Sequence, residues 1–225
     1  MTRTTQDRDA AEKDKATVRA LLDHEGRTYA EDAGIKLRNT PQPLYQVLVA
    51  ACLLSARIKA SVATAAAHEL FAAGMRDPRR MCDAGWQQRV DALGRGHYRR
   101  YDERTATQLG EGARLLLDRY RGDLRRLRDE ADGDPDAMRR ALREVPGLGP
   151  VGVDIFLREV QAVWPETRPL FDGKALKGAE RLGLPTRPEE LAGLVPEAAY
   201  AVFAAALVRA GLDRHVVDEV AAARS

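Results

Sequence analysis

Asp172 stands immediately before Gly173-Lys174-Ala175-Leu176. A carboxylate there can accept the first free amides of a helix as an N-cap, and it is also a group able to stabilise positive charge at a reacting centre. Upstream, Pro146-Gly147-Leu148-Gly149-Pro150 joins two apolar-striped segments. Gly147 and Gly149 permit backbone angles and close approaches that side chains forbid. Their amides, with the start of the next helix, can cradle a phosphate, although the same residues also make an ordinary turn. Tyr98-Arg99-Arg100-Tyr101 sets guanidinium groups among aromatic rings. That combination suits stacking and phosphate contact with a nucleic acid, or a surface turn whose tyrosines pack on the core.

Other chemistries find less support. There are six lysines (Lys13, Lys15, Lys36, Lys59, Lys174 and Lys177) against thirty arginines, so few amines are available for Schiff-base formation. Arginine suits bidentate phosphate contacts, yet an excess of it can equally reflect genome composition, and the formal charge of +2 does not announce a polyanion partner. Cys52 and Cys82 form neither metal-ligand spacing nor a disulfide framework. His24, His68, His97 and His215 are scattered, so no metal site is expected. The charged start of the chain lacks an apolar signal region, and the longest apolar run, 47 to 54, is too short to span a bilayer. A cytoplasmic protein is the expectation.

The elements that must position these residues read as helices. Residues 1 to about 15 look like a mobile charged leader grading into a helix with Val18, Leu21 and Leu22 inward. Thr40-Pro41 reads as an N-cap with proline at the first helical position, followed by Leu44, Val47, Leu48, Ala51 and Leu54 at helical spacing. Further helices are predicted over 61 to 73, stopping at Gly74, and from an Asp102 cap to about Tyr120. Others fall at 136 to 145, 151 to 163, 173 to 182, 188 to 194, 197 to 210 and 214 to 223. No stretch alternates like a strand, so the fold class is all-α.

The central feature is the pair of helices around the glycine turn, a helix-hairpin-helix at 136 to 163. Met138, Leu142 and Val145 form the inner face of the first helix; Ile155, Phe156, Val160 and Val163 form that of the second. The run Val145-Pro146-Gly147-Leu148-Gly149, with an apolar second helix and an aspartate downstream, resembles the helix-hairpin-helix (HhH-GPD) DNA glycosylase superfamily, in its endonuclease III-like form. The resemblance extends over roughly 43 to 212. Leu44 to Arg57 is similar to the family helix whose end reaches DNA, where endonuclease III commonly has glutamine at the position of Arg57. Gly96 to Ala106 resembles the loop that intrudes into the duplex beside the lesion, and Phe171 to Lys177 resembles the segment bearing the family's essential aspartate.

The resemblance implies two packed helical lobes with a DNA-binding cleft: a segment 1-40 packing with the C-terminal lobe, a central lobe 41-165, and a C-terminal lobe 166-225 carrying Asp172. It implies base-excision repair of double-stranded DNA containing damaged bases, by a monomer. Gly147, Leu148, Gly149, Val151, Arg57, Tyr98, Arg99, Arg100 and Tyr101 then contact DNA, and Asp172 supports cleavage of the N-glycosidic bond.

Departures refine this. Glycosylases that also nick DNA carry a lysine two residues after the second hairpin glycine, where this chain has Val151, which favours a monofunctional, water-using enzyme. Lys174 or Lys177 could replace that lysine in a bifunctional lyase, and a non-catalytic binder of damaged or bent DNA is the other alternative. The four-cysteine cluster of endonuclease III is missing, so no iron-sulfur cluster and no other cofactor is expected, save a monovalent cation at the hairpin. Ala51 stands where adenine-specific relatives carry glutamate. Asp154, on the second hairpin helix, could assist water activation or simply hold helices together.

Overall fold

The structure, a computed structural model, describes residues 2 to 224, with side chains from Arg8 onward. Among them every regular element is helical and no strand occurs. The order is α1 (Thr2–Glu25), α2 (Tyr29–Asp32), α3 (Pro41–Leu54), α4 (Ala60–Ala72), α5 (Pro78–Asp83), α6 (Trp86–Arg95) and α7 (Asp102–Tyr120). Then follow α8 (Leu124–Glu130), α9 (Pro135–Arg143), α10 (Pro150–Val160), α11 (Gly173–Arg181), α12 (Pro188–Ala192), α13 (Tyr200–Leu212) and α14 (Arg214–Ala223), with short 3-10 turns at Pro165–Thr167 and Glu197–Ala199. No helix among the described residues is long and apolar enough to cross a membrane.

The expected mobile leader is instead helical from Thr2 onward. No glycine or proline interrupts the chain before Gly26, and Ala10, Ala11, Glu12, Lys13 and Lys15 are strong helix formers. Thr40 does precede α3 with Pro41 at its first position, but its hydroxyl makes no cap bond. α4 closes as the sequence suggests. Gly74, at a φ of 94°, lets its own amide reach Phe71 O and that of Met75 reach Leu70 O, the paired bonds of a Schellman motif.

The chain forms two compact units, one running from Tyr29 to Thr167 and the other joining the stretch up to Thr28 with Arg168 onward. In the first, α3 lies at the centre and packs against α4 and α10. Leu44, Val47, Leu48, Ala51 and Leu53 are all buried there, each leucine contributing about 2 kcal/mol of hydrophobic stabilisation. Arg89 fastens α5, α6 and α7 from inside: its guanidinium donates to the carbonyls of Met81 (2.9 Å), Ala84 (2.6 Å) and Ala106 (2.8 Å). Gly110 makes room for it, since a Cβ there would lie 2.8 Å from the guanidinium. A buried charge is tolerable when hydrogen bonds replace its water.

In the second unit, α1 packs on α13 and α14, and α11 lies across α13. That crossing depends on Gly178 and Gly211. A Cβ at Gly178 would stand 1.8 Å from Leu207 O, and one at Gly211 would stand 2.5 Å from Lys174 O. Phe171 packs edge-on against Phe203 (5.7 Å between centroids) and Tyr200 (6.2 Å). The start of α11, and with it Asp172, is thereby held in place.

Candidate functional site

The glycine turn forms because each residue has a separate local task. Gly147 takes a φ of 84°, a left-handed value that costs a side-chain-bearing residue about 1–2 kcal/mol. Leu148 points inward and is 1% exposed, and its amide donates to Val145 O at 3.0 Å. It therefore anchors the turn, and the expectation that Leu148 contacts DNA does not hold for its side chain. Gly149 caps α10 with an ordinary φ of −71°, and a Cβ there would meet nothing within 4 Å. The amides of Gly147 and Gly149 make no hydrogen bond among the described residues. Pro150, at the first helical position, removes a competing N–H. Val151 follows, 45% exposed.

The hairpin rests on α7. Gly112 lets Val145 and Pro146 approach, since a Cβ at Gly112 would lie 3.1 Å from Val145 Cγ1, and Gln108 Cβ lies 3.2 Å from the corresponding position at Gly147. On the outer side, Asp154 is ion-paired with Arg139 across α9 and α10. The aspartate thus serves to join the two helices.

Beside the turn lies a groove of about 610 Å³, walled by the end of α3, the start of α7 and the hairpin itself. It gathers Arg57, Tyr98 and Tyr101 with Gly147, Leu148 and Gly149, segments far apart in sequence. It also brings in Arg104, Gln108 and Arg143. Arg57, Arg104 and Arg143 are exposed and make no ion pair among the described residues. The acid in the wall, Glu144, is taken by Arg119. A cluster of unneutralised guanidinium groups beside unused amides can hold an oxyanion in water.

The sequence alone did not assign Arg104, Gln108 or Arg143 to the site. The available signal was the spacing of Tyr101, Arg104 and Gln108 along one side of α7, which the apolar stripe on the other side overshadowed. Cys52 also lines the groove, but burial pushes its thiol up to about 12. At neutral pH it is a thiol and no nucleophile.

The loop before α7 is more constrained than its composition suggests. Gly96 presses against α4, where a Cβ would lie 2.4 Å from Ala66 Cα. His97 then reverses the chain at a φ of 62°. Tyr98 follows, 1% exposed, its phenol in hydrogen-bond contact with Thr105 and raised in pKa chiefly by burial. Tyr98 is a packing residue, so it is unavailable as a DNA-contacting wedge. Arg99 and Arg100 are exposed and Tyr101 is half-buried, with the Arg100 guanidinium 5.3 Å from the Tyr101 ring centre. That contact is a cation–π pairing within the loop.

In the other unit, Asp172 Oδ1 accepts the amides of Lys174 (2.8 Å) and Ala175 (3.1 Å). The carboxylate is half-buried, and Lys174 and Lys177 on α11 are exposed. Asp172 is therefore an N-cap whose orientation is fixed by two hydrogen bonds. No group of His, Cys, Asp and Glu among the described residues could hold a metal ion.

No protein-family model matches the chain, and no curated protein matches it. Among solved structures, a trapped endonuclease III–DNA covalent intermediate, an estranged-adenine complex, is similar at 17% identity with a TM-score of 0.49, over 89% of this chain and 86% of that one.

Proposed function

We propose that this protein is a DNA-repair glycosylase of the monofunctional kind, hydrolysing the N-glycosidic bond of a damaged base in double-stranded DNA. The observation that carries the reading is the hairpin groove, with two unused glycine amides beside three unpaired arginines. Such an arrangement grips a strand by its phosphates without reading sequence. The exposed Arg99 and Arg100, with the half-buried Tyr101, supply groups suited to replacing an extruded nucleotide in the stack.

In this reading Asp172 is the catalytic residue. As the base departs, positive charge spreads over C1′ and the ring oxygen of the sugar; a carboxylate stabilises it and accepts a proton from the attacking water. The two amides on Oδ1 keep the group oriented. Val151 offers no amine at the hairpin, in keeping with water as the nucleophile. The carbonyls of Gly147 and Leu148 accept no hydrogen bond among the described residues. They would be the oxygen donors that hold a monovalent cation, which would add positive charge at the turn, and no step of the cleavage runs through it. The protein is read as a cytoplasmic monomer acting at the nucleoid, without an iron-sulfur cluster.

The test is a panel of duplexes carrying different damaged bases, treated with alkali to reveal abasic sites. Base release by the native chain that is lost in Asp172→Asn, with duplex binding retained, supports the proposal. Asparagine is an equally good N-cap, so α11 persists in that variant. Binding without release across the whole panel instead assigns a non-catalytic binder of damaged or bent DNA. A second reading, a lyase using Lys174 or Lys177, draws on their exposure near Asp172. Borohydride trapping of a DNA adduct that disappears in Lys174→Ala or Lys177→Ala would replace the monofunctional assignment.

A further inference from the structure

Helix α3 has 14 residues and is about 20 Å long. Its last turn reaches the hairpin groove through Cys52. Its first turn opens onto another groove, of about 660 Å³, whose walls include Lys36, Arg38, Gln42, Gln46, His68 and Arg76. No aspartate or glutamate lines it. Lys36, Arg38 and Arg76 are exposed and make no ion pair among the described residues.

Like the arginines of the hairpin groove, and unlike Arg80, Arg95, Arg119, Arg125, Arg128 and Arg139, which each face a carboxylate, these cations have no acidic partner among the described residues. Glu69, the acid beside His68, is held by Arg95 at 3.0 Å. Arg76 Nε donates to Phe71 O at 2.8 Å, which fixes the guanidinium and leaves its terminal nitrogens for another acceptor. Neither Pro41 nor Pro43 carries an N–H, and the Thr40 hydroxyl makes no cap bond with the helix start. The groove thus presents cations and neutral donors with no anion of its own.

We propose that this groove is a second phosphate-binding surface, holding the backbone of a nucleic acid beyond the stretch gripped at the hairpin. Phe71 is buried and the His68 imidazole is the exposed ring among the lining residues, so the groove offers little stacking surface and recognition goes chiefly through phosphate oxygens. The two grooves open at opposite ends of α3. The second surface is thus separate from the hairpin groove, and it would engage DNA outside the stretch held there. The nature of the occupant rests on the DNA reading of the hairpin; the phosphate chemistry does not.

The experiment compares the native chain with Lys36→Gln/Arg38→Gln/Arg76→Gln, an exposed triple variant expected to fold normally. Duplex binding is measured by fluorescence anisotropy across a salt series, and the thermal shift by inorganic pyrophosphate is measured in parallel. On a 30-base-pair duplex the triple variant should lose tenfold or more in affinity, and the slope of log K against log salt should fall by about 2 to 3. An unchanged slope, with affinity within twofold, overturns the proposal and leaves the hairpin reading intact. If the native chain binds no duplex, the DNA reading fails. A pyrophosphate stabilisation lost in the triple variant then sustains the phosphate groove, and its absence removes both.

Discussion

Replacing Gly149 with alanine separates what the hairpin does for the fold from what it does for a ligand. The φ of −71° suits alanine, and the added methyl would enter space with no atom within 4 Å. The folded state therefore gains no strain, while the unfolded chain loses freedom, so stability should stay level or rise by about 0.4–1 kcal/mol. Binding should move the other way. The methyl projects where the turn offers its unused amides, and losing one amide–phosphate bond costs about 1.5–3 kcal/mol, roughly a ten- to hundredfold weaker Kd. Gly147→Ala is the control, because its φ of 84° and the Gln108 Cβ at 3.2 Å predict a folding loss of about 1–2 kcal/mol. Urea denaturation reads the first quantity and anisotropy of a labelled duplex at fixed salt reads the second. If Gly149→Ala binds within twofold of the native chain, the open amides are incidental and the hairpin is a structural turn.

Tyr45 has a buried hydroxyl with no hydrogen-bond partner among the described residues, so Tyr45→Phe should leave stability unchanged or raise it by about 1 kcal/mol; a loss of that size in urea melts would contradict the orphaned hydroxyl. Burial lifts the Cys52 thiol from 9.0 to about 12. The unfolded chain therefore binds fewer protons than the native one between those values, and stability should fall as pH rises through that window, by no more than about 4 kcal/mol at about 1.4 kcal/mol per pH unit. Cys52→Ala should flatten the first part of that decline, and identical alkaline curves for the two proteins would disprove the assignment. Gly178→Ala forces α11 off α13, because its Cβ would stand 1.8 Å from Leu207 O. A loss of about 3 kcal/mol is expected, and a Tm within 2 °C of the native value would show that the crossing relaxes freely.

The helices were legible because their signals are local. Thr40-Pro41 and the stripe from Leu44 mark α3, and α7 ends at Tyr120 as expected, although Tyr101 rather than Asp102 takes its N-cap position. The turn at Gly147 is likewise written in the residue that occupies it. The leader was misjudged because high charge was read as mobility, although its residues favour a helix and Val18 and Leu21 are buried at its far end.

Side-chain direction was decided elsewhere. Tyr98 and Tyr101 read alike in the loop, yet Gly96 pressing on Ala66 and Thr105 contacting the phenol turn Tyr98 inward while Tyr101 stays half-buried. Arg104, Gln108 and Arg143 become one wall only when α7 and the hairpin meet at Gly112. The sequence by itself determined where the chain coils and where it must bend, since those depend on neighbours within a turn or two. Which arginines stay unpaired, and which glycines leave space unfilled, only the tertiary structure decided, because each outcome depends on atoms brought from distant parts of the chain.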